Sequence, residues 1–111
     1  MKYYLASILL FLSFQGTAYA DIAEANKLYS AGKYEQAFKV FLPLAQAEVA
    51  QAQDMVGMMY MLGVGTEKNY ALGTLWLSLA AQQGVDQASE TRDTLITEWK
   101  EDIIKNLKAM K

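Results

Sequence analysis

The sequence predicts an all-α fold, an α/α superhelical repeat built from antiparallel helix pairs. Three observations predict it. First, the chain resembles itself at a period of 36 residues. Tyr34 to Ala52 and Tyr70 to Ala88 share six identical positions of nineteen: Tyr34/Tyr70, Ala45/Ala81, Gln46/Gln82, Val49/Val85, Gln51/Gln87 and Ala52/Ala88. Second, apolar residues recur at helical spacing within each copy. Third, no segment alternates with period two for long, so no sheet is expected.

The elements follow in order. Residues 1–20 read as a secretory signal peptide. Lys2 is its one cation, Leu5 to Phe14 form an apolar run of ten, and Ala18-Tyr19-Ala20 offers a small-x-small cleavage site before Asp21. That run is too short for the ~20 residues of a spanning helix. Residues 21–111 then form one helical repeat domain, with units near 22–49 and 52–87 and a cap over 88–111. A first helix is expected from Ile22 to Ala31, closed by Gly32. A second, Tyr34 to Gln46, carries Ala37, Val40, Phe41, Leu44 and Ala45 on one stripe. Pro43 inside it removes the hydrogen bond to the Lys39 carbonyl and should kink it; a fresh start at Pro43 is the alternative. A third helix presents Ala52, Val56, Gly57, Tyr60 and Gly63, and ends in Gly63-Val64-Gly65-Thr66. A fourth carries the stripe Leu72, Leu75, Trp76, Leu79 and Ala80, closed by Gly84. The last segment, with Leu95, Trp99, Ile103 and Leu107 on one face and Ile96, Ile104 and Met110 beside them, reads as a terminal cap with a polar outer face. A break near Lys100 is an alternative to one helix there.

Composition narrows the chemistry. Of 111 residues none is Cys and none is His. Disulfides, thiolate metal sites and a catalytic thiol are therefore excluded, and the commonest metal ligand and neutral-pH base are missing. No cofactor and no metal is expected. Without residues 1–20 there remain nine cations against twelve acids, a charge of −3. That balance offers no electrostatic reason to bind nucleic acid or an anionic membrane. An apolar share of 53% is nonetheless enough to form a core.

Ala52-Gln53, Gly57-Met58-Met59-Tyr60, Gly63-Val64-Gly65, Tyr70, Trp76, Ala80-Ala81 and Gly84 together resemble one unit of the Sel-one-like repeat family. These repeats are relatives of the tetratricopeptide repeats. Ala25, Gly32-Lys33-Tyr34, Ala37 and Pro43-Leu44-Ala45 resemble the shorter opening unit of secreted bacterial members, and Arg92-Asp93-Thr94-Leu95 their closing helix. The resemblance spans roughly Ile22 to Leu95. It implies a scaffold that binds other proteins or peptides. Three positions depart from the pattern. Glu48 stands where the family has Gly, so the first helix pair is expected to be joined differently. Gly73 stands where Ala is usual, at about 1 kcal/mol of helix propensity, and Ser89 replaces the Gln of the Ala-Gln pair. Some cysteine-rich secreted members are linked to β-lactam binding, and this chain lacks their cysteines.

Met55, Met58 and Leu62, at i, i+3 and i+7, form a second stripe on the third helix, flanked by Gln51 and Asp54. Methionine is adaptable and frequent at binding surfaces. The stripe is either buried by neighbouring helices or lines a partner groove. Asn26, Gln51, Met55, Met58 and Leu62 are the expected partner contacts. Ser30-Ala31-Gly32-Lys33 matches the Ser-x-x-Lys of penicillin-interacting serine hydrolases, but it straddles a glycine turn and no Lys-Thr-Gly follows. Gly63-x-Gly65 lacks the Lys-Ser/Thr of a phosphate loop. Asp54, Glu67, Asp86, Glu90 and Asp93 show no spacing that forces an acid–base pair. The expectation is a non-catalytic adaptor, exported to the bacterial periplasm or secreted after cleavage at Ala20, with another protein or peptide as partner. Self-association through the open ends of a short solenoid is the second possibility.

Overall fold

A computed structural model describes residues 19–110, and residues 1–18, which carry most of the expected signal peptide, lie outside them. The described residues are helical and turn, without a strand. Helix α1 is helical across 19–30, so the Ala20–Asp21 bond falls within helical residues. It is followed by α2 (Tyr34–Gln46), α3 (Ala50–Leu62), α4 (Tyr70–Gln82) and α5 (Asp86–Ala109). Helices stack in chain order, α3 on α2, α4 on α3 and α5 on α4, with the broadest contact between α3 and α4. α2 runs through Pro43 to Gln46 as one helix. Pro43 sits in the last turn, so it costs the one bond to the Lys39 carbonyl and only three helical residues follow it.

Each of the first four helices stops the same way. An amide two or three residues past the end bonds back across the final turn: Lys33 to the Leu28 carbonyl, Val49 to Leu44, Val64 to Met59 and Val85 to Ala80, at 2.9–3.1 Å. This closure needs a residue with left-handed backbone. Gly32, Gly63 and Gly84 supply it, and so does Glu48, at φ 66°. The expectation that Glu48 would join the first pair differently is therefore wrong. Its backbone follows the glycine path, and the Glu48 amide reaches Ala45 as the Gly84 amide reaches Ala81, both at 3.0 Å.

α3 lies at the centre and serves two cores. Ala52, Val56 and Met59 join Ile22, Ala25, Ala37, Phe41, Leu44 and Ala45 between α1, α2 and α3. Met61 joins Leu77, Ala80 and Ala88 between α3, α4 and α5. Burying a side chain the size of Phe41 or Leu77 contributes roughly 1.5–3 kcal/mol. Met59 and Met61 are fully buried, and Tyr60 is only half-buried, edge-on to Phe38 at 5.3 Å. The face expected for α3 is thus right at Ala52, Val56 and Gly57, and too narrow.

The stripe expected for α4 is rotated from the true one. Gly73, Leu77 and Ala80 are buried, while Leu72 and Leu75 are exposed. α3 and α4 approach so closely that a Cβ on Gly73 would lie 2.5 Å from Met61 Cγ, and one on Gly57 2.7 Å from Leu77 Cγ. Only glycine fits at such a crossing. The helix turns its small residue inward, and two leucines go outward as a consequence. The helix-propensity cost of Gly73 accompanies this packing.

α5 is one unbroken helix of 24 residues, not two. Ala88 is buried, Leu95 and Ile96 pack on the second core, and Trp99 stacks on Tyr70 at 5.0 Å. From Lys100 to Met110 every residue is exposed, including Ile103, Ile104 and Leu107.

Candidate functional site

A helix packed on both flanks keeps one face over, and on α3 that face is Gln51, Asp54, Met55, Met58 and Leu62. Their spacing, i, i+3, i+4, i+7 and i+11, draws one line along the helix. Gln51 is exposed, Asp54, Met55 and Met58 are half-buried, and Leu62 keeps 48% of its surface. Met55 leans on the first core and Met58 on the second. The two methionines thus have anchored sides and open sides. Four of the five residues expected to touch a partner share this face. The fifth, Asn26, is exposed on a different helix, α1.

Asp54 is the member of the line with unresolved chemistry. Its Oδ1 is buried and has no hydrogen-bond partner. Burial pushes its carboxyl above the usual 3.8, because the charged form loses water without gaining a donor. Sequence spacing placed Asp54 beside the methionines, but only packing shows that one of its oxygens is orphaned.

The turn before α3 is held from both units. Gln53, 3% exposed, donates from Nε2 to the Ala45 carbonyl at 3.3 Å. Gln83, just past α4, donates from Nε2 to Gln53 Oε1 at 2.8 Å and to the Glu48 carbonyl at 3.0 Å. A buried amide is thereby satisfied, and α3 is pinned at its N-terminal end. The Gln of the Ala-Gln pair is therefore a tie between the two units. Ser89, its counterpart, only bonds the Asp86 carbonyl within its own helix end, at 3.1 Å.

The remaining candidates fall elsewhere. Ser30 is the last helical residue of α1 and Lys33 precedes α2, with left-handed Gly32 between them. A Ser-x-x-Lys nucleophile instead needs both groups at the start of one helix. An open depression of about 600 Å³ lies between the α1–α2 and α3–α4 turns, lined by Lys33, Tyr34, Glu35, Gly65 and Glu67 among others. It shares no residue with the α3 face. In the Gly63-x-Gly65 turn the Val64 amide is committed to Met59, and a Cβ on Gly65 would strike the Tyr34 carbonyl. The glycines make the turn and its close packing on α2. Among the described residues no three His, Cys, Asp or Glu side chains group as metal ligands. Among them, too, no helix is long and apolar enough to cross a membrane.

No family model matches the chain, and no curated protein matches it. It is similar to the crystal structure of a Sel1 repeat protein from Oxalobacter formigenes, with 31% sequence identity and a TM-score of 0.59. The likeness covers 65% of this chain and 29% of that one, so the chain spans under a third of its neighbour's length. Five helices stacked in order among the described residues, the first four closed alike, and the match to that structure give this chain the Sel1-like repeat fold.

Proposed function

We propose that the chain is a non-catalytic adaptor of the bacterial envelope that holds a peptide or helix against the open face of α3. The observation that carries the reading is the line Gln51, Met55, Met58 and Leu62, left uncovered on a helix whose other sides are packed. Half-anchored methionines suit such a surface, because the thioether adapts to different partners while its root stays fixed. Asn26 on α1 is the outlying polar contact. The Lys2, Leu5–Phe14 and Ala18-Tyr19-Ala20 pattern supports export. Its test is N-terminal sequencing after expression in a bacterial host, with Asp21 expected as the first residue.

Binding is tested by affinity purification of the tagged chain from the envelope of its source organism. Met55→Glu combined with Met58→Glu should abolish recovery of the partner and leave the circular dichroism of the helices intact. Loss of helicity instead would show that these methionines serve the core alone.

One observation favours a second reading, self-association. The last turns of α5 expose Ile103, Ile104 and Leu107 on a helix that has left the stack. Sedimentation of the native chain against Ile103→Lys with Leu107→Glu separates the readings; a wild-type monomer at high concentration ends this one.

A further inference from the structure

We propose that the α3 face selects a protein segment carrying a lysine or arginine among apolar residues, the cation being received by the Asp54 carboxylate. The inference rests on the docking reading above and specifies its partner. A carboxylate half-buried on the same helix line as Met55 and Met58 gains nothing from apolar contact. Its buried Oδ1 has no donor among the described residues, and an uncompensated polar atom of this kind is costly to keep. Among the described residues the one ion pair joins Arg92 to Asp93, both on α5. Among the described residues, therefore, no cation lies within ion-pair distance of Asp54.

The surroundings favour a full cation over a neutral donor. At the 36-residue register Glu90 and Glu98 of α5 stand where α3 has Asp54 and Leu62, and both are exposed. Aligning α1 through Gly32 on Gly63 puts Glu24 and Lys27 at the positions of Met55 and Met58, where their charges cancel. At these register positions the acids Glu24, Asp54, Glu90 and Glu98 outnumber the bases, Lys27 and the Lys68 that lies in the field of Glu98. An apolar line interrupted by one desolvated acid is complementary to an apolar segment interrupted by one base. A charge-assisted bond made there is stronger than one made in open water.

The test uses the full chain and labelled amphipathic peptides of about 15 residues with a Leu/Ile face. The central residue of that face is varied through Lys, Arg, norleucine and Glu, and binding is read by fluorescence anisotropy. The Lys and Arg peptides should bind about tenfold tighter than the norleucine peptide. Asp54→Asn should erase that preference, bringing the Lys and Arg peptides to the level of the norleucine peptide. Asp54→Lys should transfer the preference to the Glu peptide. Equal binding of Lys and norleucine peptides by the wild type overturns the inference while the docking reading stands. A preference that survives in Asp54→Asn overturns it as well. No binding of any peptide overturns both.

Discussion

The α2–α3 and α4–α5 junctions sit 36 residues apart and make the same backbone hydrogen bonds, yet they are held by different means. At the first, a left-handed Glu48 turns the chain, and its carbonyl, Gln53 and Gln83 form a side-chain tie. At the second, Gly84 turns the chain freely and Ser89 bonds only its own helix end. The outer faces differ as well: Gln36 and Lys39 on α2 become Leu72 and Leu75 on α4, both exposed. The path of a repeat is thus set by the backbone closure. Its rigidity and its surface are set by which side chains decorate that closure. The strained turn is the one that carries the tie, and the relaxed turn leads into the helix that leaves the stack.

The sharpest test of the equivalence is in the cores. Phe41 and Leu77 occupy the same register and both are fully buried. Phe41→Ala should lower the unfolding free energy in urea by about 3–5 kcal/mol and Leu77→Ala by about 2–5. A near-neutral Leu77→Ala would break the comparison. Next comes the close crossing, which has no strained counterpart in the first unit. Gly73→Val should cost about 1–3 kcal/mol through overpacking against Met61. The tie is smaller. Gln53→Ala should cost about 1–2 kcal/mol, since it removes both hydrogen bonds that its amide makes, to the Ala45 carbonyl and from Gln83, whereas Ser89→Ala should stay within about 0.5. Glu48→Gly should stabilise by about 1 kcal/mol through relief of left-handed strain, while Gly84→Ala should destabilise by a similar amount. Opposite signs at equivalent positions, measured by thermal melting, would sharpen the comparison most directly.

The smallest effect is pH-dependent. The folded chain holds the Asp54 proton more tightly than the unfolded chain, whose value lies near 3.8. Its contribution to stability is therefore fullest below that value and declines as pH rises through the folded value. Asp54→Asn should raise the melting temperature at pH 7 by the equivalent of less than about 1 kcal/mol, and the gain should vanish at pH 3.

Much of the fold was legible because its signals are local or periodic. Gly32, Gly63 and Gly84 mark helix ends by themselves, and α2 spans the expected Tyr34–Gln46. The site was legible as a line of spacings on α3, but not as a surface. Periodicity misled on α4, where nearly every residue is apolar and any face can pass for the core. The repeat register would have corrected it: Ala37, Phe41 and Leu44, buried in α2, map onto Gly73, Leu77 and Ala80.

By itself the sequence determined that helices form, where they stop and at what interval they recur, because capping, left-handed turns and amphipathic spacing act within a few residues. Only the tertiary structure decided which face of α4 turns inward, that Gln53 is a tie, and that Asp54 keeps an orphaned oxygen. Each of these depends on two helices meeting at one distance. The approach of Gly57 and Gly73 sets that distance between α3 and α4, and the residues left over on α3 become its open face.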